Sequence, residues 1–127
     1  EHPDDVAILL FHGYIKKDGS FTKVGKLMYE QVVTPNPNVR LVLCGHISGT
    51  GFRYDEFDDT GDGAPDRGVN TMLYNYQEYY DNCGQIRLLT FDPAQRNIRV
   101  MTYSPFKDRY YKDSYFDAAE FTLEDAF

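Results

Sequence analysis

Two short, unbroken apolar runs constrain this chain more than any other feature: Asp5 to His12, DVAILLFH, and Val39 to Cys44, VRLVLC, each ending abruptly in polar residues and glycine. Continuous rather than alternating hydrophobicity is what a strand buried on both faces needs, so both runs read as central strands of a sheet. Between them, the KKDGS turn leads to Thr22, suited to cap a helix. Val24, Leu27, Met28 and Val32 then follow at the spacing of one helical face. That helix must end before TPNPN, where Pro35 and Pro37 remove backbone donors and force extended chain. Strand, helix, strand is a parallel crossover, which delivers both strand ends to one edge of the sheet. His12 and His46 stand at those ends. Open α/β sheets bind ligands along that edge, so topology predicts that two histidines distant in sequence meet at one place.

The second half is patterned differently. Thr50 to Phe57, Val69 to Gln77, Gln85 to Phe91 and Asn97 to Tyr103 are rich in aromatic and β-branched residues and read as strands separated by turns. FDPAQRN suits a hairpin connection, with Pro93 in the turn. The charged, aromatic tail from Lys107 to Phe127 is expected to pack across the sheet. A length of 127 residues fits one domain. The fold class expected over residues 1–127 is α/β with α+β character, a crossover followed by a mostly antiparallel sheet.

A formal net charge of -7 repels polyanions, and the scattered Lys and Arg form no basic patch, so no nucleic-acid partner is expected. No apolar run approaches the roughly 20 residues that cross a bilayer, which predicts a soluble piece without a membrane partner. Any leader would lie upstream, so the compartment stays open, a secreted or cell-surface parent included. Cys44 and Cys83 lack metal-motif spacing and read as small buried apolar side chains.

VRLVLCGHISG resembles the last motif of the calcineurin-like metallophosphoesterases, a strand ending in Gly-His-x-His, and LLFHGYI resembles the preceding motif, a strand ending in a metal-binding His. VNTMLYNYQ and IRLLTFDPAQRNIRVMTYSP resemble the C-terminal strands of a bacterial branch of that family, so the likeness runs from Val6 to Pro105. It implies part of a sandwich of two facing mixed sheets with helices outside. It also implies a site of two divalent metals, commonly Fe, Zn or Mn, that hydrolyses phosphate mono- or diesters, from small esters to phosphoproteins. Paired cations suit such chemistry because one lowers the pKa of the attacking water while both neutralise charge on the phosphoryl group.

By the same resemblance His12 and His46 would ligate the second metal, while Ser48 stands where the first metal's imidazole is expected. The family's earlier motifs, Asp-x-His, Gly-Asp-x-x-Asp and Gly-Asn-His-Asp/Glu, are absent from this sequence. The chain is therefore expected to be the C-terminal portion of a phosphoesterase and inactive by itself. The alternatives are a non-catalytic binding module that has lost the first metal site and, for each His, a hydrogen-bonded residue at a strand end. Half a sandwich would leave strand edges and an apolar face uncovered, so self-association is expected.

A second candidate is the loop DDTGDGAPD. Asp58, Asp62, Asp66 and the Ala64 carbonyl approximate the alternate oxygens of a calcium loop, with Thr60 where another acid is usual. The twelfth position holds Val69 rather than a bidentate Glu, so the alternatives are a calcium-stabilised β-rich module and a solvated acidic loop. Tyr74, Tyr76, Tyr79 and Tyr80 read either as a wall for a sugar or nucleoside or as sheet packing.

Overall fold

The computed structural model describes residues 5–77, 84–112 and 119–127. They form a mixed α/β arrangement, mostly strand with one short helix. One sheet contains β1 (Ala7–Phe11), β2 (Val39–Cys44), β3 (Gly49–Phe57) and β4 (Arg67–Asn75), in the order β1-β2-β4-β3. The other contains β5 (Ile86–Asp92), β6 (Asn97–Ser104) and β7 (Arg109–Tyr111), with β8 (Glu120–Leu123) also paired to β6.

The crossover is present: β1 and β2 pair in parallel, joined through α1 (Lys23–Met28) and a π-helical turn over Tyr29–Val33. Thr22 caps α1 as its sequence position predicts, its hydroxyl accepting a hydrogen bond from the Gly25 amide at 2.9 Å. The turn closes when the Thr34 amide donates to the Tyr29 carbonyl, and Asn36 Nδ2 satisfies the Val32 carbonyl. Pro35 then stops the helix where expected.

The helical face differs from the expectation. Val24 and Leu27 are exposed, and the side packed on the sheet carries Gly25, Met28, Tyr29 and Val33. Gly25 lies so close to the Tyr14 carbonyl that no β-carbon fits there, which turns Val24 outward. The extra residue of the π-turn then carries Val33, rather than Val32, into the core.

β1 is also not a central strand. It forms the sheet's free edge, and its residues alternate between Ala7, Leu9 and Phe11 packed on the helical side and Ile8 and Leu10 exposed, Leu10 at 76%. Within these residues its continuous apolar run meets a neighbour on only one face. β2 and β4 are the strands covered on both faces. Val39, Val42, Cys44, Val69 and Leu73 join the core beneath the helix, while Leu41 and Met72 join a second core with Ile98, Val100 and Leu123. A register shift between Ala7 and Ile8 accompanies the placement of Val39 and Val42 in one core.

The second half divides between the sheets. The strands read from Thr50 and Val69 form the β3–β4 hairpin, and β4 adds in parallel beside β2, so that this part of the first sheet is mixed. Only β5 to β8 form the antiparallel sheet expected for the later residues. FDPAQRN is the β5–β6 turn: Asp92 Oδ1 accepts from the Ala94 and Gln95 amides and Arg96 adopts φ 55°. Among the described tail residues, β7 and β8 extend the second sheet by pairing with β6, and Phe121, Leu123, Ala126 and Phe127 pack in the core that Leu41 and Met72 share.

Between the two sheets, on the side of β1 and β5, lie two apolar cavities of about 300 and 340 Å³. Leu10, Leu43 and Leu89 line the first, and Val6, Ile8 and Phe91 the second.

Candidate functional site

The ends of β1, β2 and β4 meet at one edge of the first sheet, and there the rings of His12 and His46 lie with centroids 4.5 Å apart, tilted by 48°. The crossover therefore does what the sequence predicts for this pair. The two turns are tied directly, the Gly45 amide donating to the His12 carbonyl at 3.1 Å. Gly13 packs on the His46 ring: a β-carbon there would sit 3.4 Å from His46 Cβ.

His46 adopts φ 64°, a left-handed conformation that costs a non-glycine residue energy unless its surroundings impose it. Two contacts hold it. Asn75 Nδ2 donates to the His46 carbonyl at 3.0 Å, and the Ile47 amide donates to the Gly45 carbonyl at 2.8 Å. Asn75 is a site-supporting residue that the sequence reading missed. Its signal was positional, since it ends the third strand at the same edge. Both imidazoles are exposed and Ser48 is half-buried.

The donor set is incomplete. Among the described residues no three His, Cys, Asp or Glu side chains form a group able to hold a metal ion. Two neighbouring imidazoles fit part of one coordination shell for Zn, Fe or Mn, which take neutral imidazole readily. Ser48 carries a neutral hydroxyl and adds no imidazole to the pair. Burial raises the Cys44 thiol pKa. Cys83 lies outside the described residues.

The Asp58 to Asp66 loop connects β3 to β4 and spends three of its four carboxylates, those of Asp58, Asp62 and Asp66, on its own backbone, while Asp59 pairs with Arg67. Asp58 accepts from the amides of Gly61, Asp62 and Gly63; Asp62 accepts from Ala64; Asp66 accepts from Asp59 and Thr60. Thr60 takes part through its amide. The Thr60 amide bond lowers the Asp66 carboxyl pKa, outweighing desolvation. A carboxyl depressed in the folded state contributes stability above its ordinary pKa and loses it as pH falls through the folded value. We therefore expect the Thr60 amide to lose exchange protection, measured by pH-dependent NMR, only below about pH 4, with neutral-pH protection lost in Asp66→Asn.

Tyr74 and Tyr76 are in ring contact at 5.1 Å, and Tyr74 O–H donates to Gln85 Oε1. Burial pushes the Tyr74 pKa up to about 12. The Arg87 guanidinium lies 4.4 Å from the Tyr74 ring, so this pair is packed between the sheets instead of standing as an open wall. Tyr79 and Tyr80 lie outside the described residues. None of the described helices is long and apolar enough to cross a membrane.

Uncharacterized protein YvnB of Bacillus subtilis (strain 168) is 43% identical over 127 residues, covering 97% of this chain and 10% of that protein. The chain thus spans about a tenth of the length of the curated relative it matches. No family model matches the chain, and no solved structure matches it.

Proposed function

We propose that this chain is the C-terminal part of a calcineurin-like metallophosphoesterase domain, in which His12 and His46 supply imidazoles to the second of two divalent metals. The observation that carries the reading is their convergence at 4.5 Å on neighbouring parallel strand ends, with His46 held at φ 64°. Strained backbone at a strand-end edge accords with a functional site. Bound there, such metals would supply Lewis-acid activation of water and charge neutralisation for phosphate-ester hydrolysis. The chain's own part is to hold two rings side by side, through Gly13, Gly45 and Asn75. Calorimetric titration of the chain with Zn²⁺, wild type against His46→Ala, tests the reading.

Ser48 favours a second reading, a binding module that keeps the fold with the first metal lost. The state of the Asp, Asn and His motifs in the parent gene discriminates the two. Calcium in the Asp58 to Asp66 loop remains a separate proposal, tested by Ca²⁺ calorimetry and thermal shift.

The partial sandwich belongs to the same reading. β1 and β5 end their sheets on the side where the gap between the sheets exposes Val6, Ile8, Leu10 and Phe91. Free strand edges bordering an apolar groove invite pairing with another copy. We expect the isolated chain to self-associate in light scattering at tens of micromolar, and Leu10→Lys to shift it toward monomer. A wild-type monomer at every concentration would count against this.

A further inference from the structure

The loop leaving β1 runs beside the turn leaving β2: Gly13 lies on His46, and Lys17 lies on Gly49. A β-carbon on Gly49 would meet Lys17 Cε at 2.7 Å and Nζ at 3.2 Å, and Gly49 itself adopts φ +110°, which side chains rarely take. The positive φ is what favours glycine there, since the lysine tip is flexible enough to give way to a β-carbon; the lysine stem lies across the backbone immediately after Ser48. Among the described residues the Lys17 ammonium forms no ion pair, whereas Lys26 pairs with Glu30 at 3.2 Å and Lys16 acts on Asp18. In a chain of net charge -7, an ammonium without an ion pair, on the loop that runs beside the turn leaving β2, brings to that side of the molecule a positive charge that draws an anion.

We propose that Lys17 is the anion-positioning residue of the His12–His46 site and biases it toward dianionic phosphate monoesters over monoanionic diesters. The inference rests on the phosphoesterase reading. There Ser48 removes an imidazole from the first metal, and a nearby lysine returns positive charge without needing that metal. Lysine is a compact point charge suited to phosphate, and its attraction for a dianion is about twice that for a monoanion at equal distance.

The test is an NMR titration of the chain with inorganic phosphate and with dimethyl phosphate at pH 8, with and without one equivalent of Zn²⁺. The Gly49 amide and the His12 and His46 rings report binding. Phosphate affinity is expected to fall about fivefold in Lys17→Met, to recover in Lys17→Arg, and to stay within about twofold in Lys16→Met. The wild-type preference for phosphate over dimethyl phosphate should shrink in Lys17→Met. Equal phosphate affinity in wild type and Lys17→Met, or no saturable shift in either metal state, overturns the proposal. Zn²⁺-dependent binding that ignores Lys17 would sink the proposal while leaving the metal reading in place. Lys17-dependent binding indifferent to Zn²⁺ would do the reverse.

Discussion

Arg67→Met is expected to lower the stability of this chain by about 3 kcal/mol, the range in which one member of a buried ion pair is removed. The Arg67 side chain is 1% exposed, at the start of β4. Its Nε donates to Asp59 Oδ2 at 2.6 Å, and its other nitrogens reach the carbonyls of Val33, Thr34 and Val39 at 3.0 to 3.3 Å. The guanidinium carbon lies 4.0 Å from the Phe57 ring centroid. One side chain thus ties the acidic loop, the end of the π-turn and the start of β2 together. Methionine keeps much of the volume but leaves three carbonyls and a carboxylate without their donor. Asp59 is a quarter exposed and water can solvate it once Arg67 is gone, so Asp59→Asn should cost less, about 1 kcal/mol. Urea melts of the three proteins decide the matter. Equal stability of Arg67→Met and wild type would show that the network contributes nothing net.

The second large effect is expected at the imidazole pair. Zn²⁺ binding by the chain should weaken at least about 100-fold in His46→Ala, because loss of even a supporting group beyond the ligands costs 10- to 100-fold. Asn75→Ala, which frees the His46 carbonyl without touching a ligand, should cost about tenfold. On the phosphoesterase reading, turnover should separate the chain from a longer protein that carries the upstream motifs. The chain holds two imidazoles and no group of three metal ligands among the described residues, so it should not hydrolyse p-nitrophenyl phosphate or its bis-ester with Mn²⁺, Zn²⁺ or Fe²⁺. A parent carrying the upstream carboxylates should hydrolyse them, lose activity in His46→Ala, and bind its first metal more tightly in Ser48→His. Robust turnover by the isolated chain, insensitive to His46→Ala, would place the chemistry elsewhere.

The strand-helix-strand unit, the Thr22 cap and the meeting of His12 with His46 were legible in the sequence because each depends on short-range pattern plus one general rule of chain handedness. The β5–β6 turn was legible too, since Asp92 and Pro93 act on their own neighbours. Apolarity marked β1 as a strand but could not show that it would stand at an edge, because a run of hydrophobic residues records the need for burial and not the neighbour that supplies it. The helical face turned on one long-range contact, Gly25 against the Tyr14 carbonyl, and on an inserted π-turn that no periodicity announces. The support of the site was decided the same way. Asn75 reaches His46 only because β4 adds beside β2, and Lys17 reaches Gly49 only because two turns run together. Local sequence determined what each segment becomes; which segments touch was left to tertiary packing, where the contacts join residues far apart in the chain.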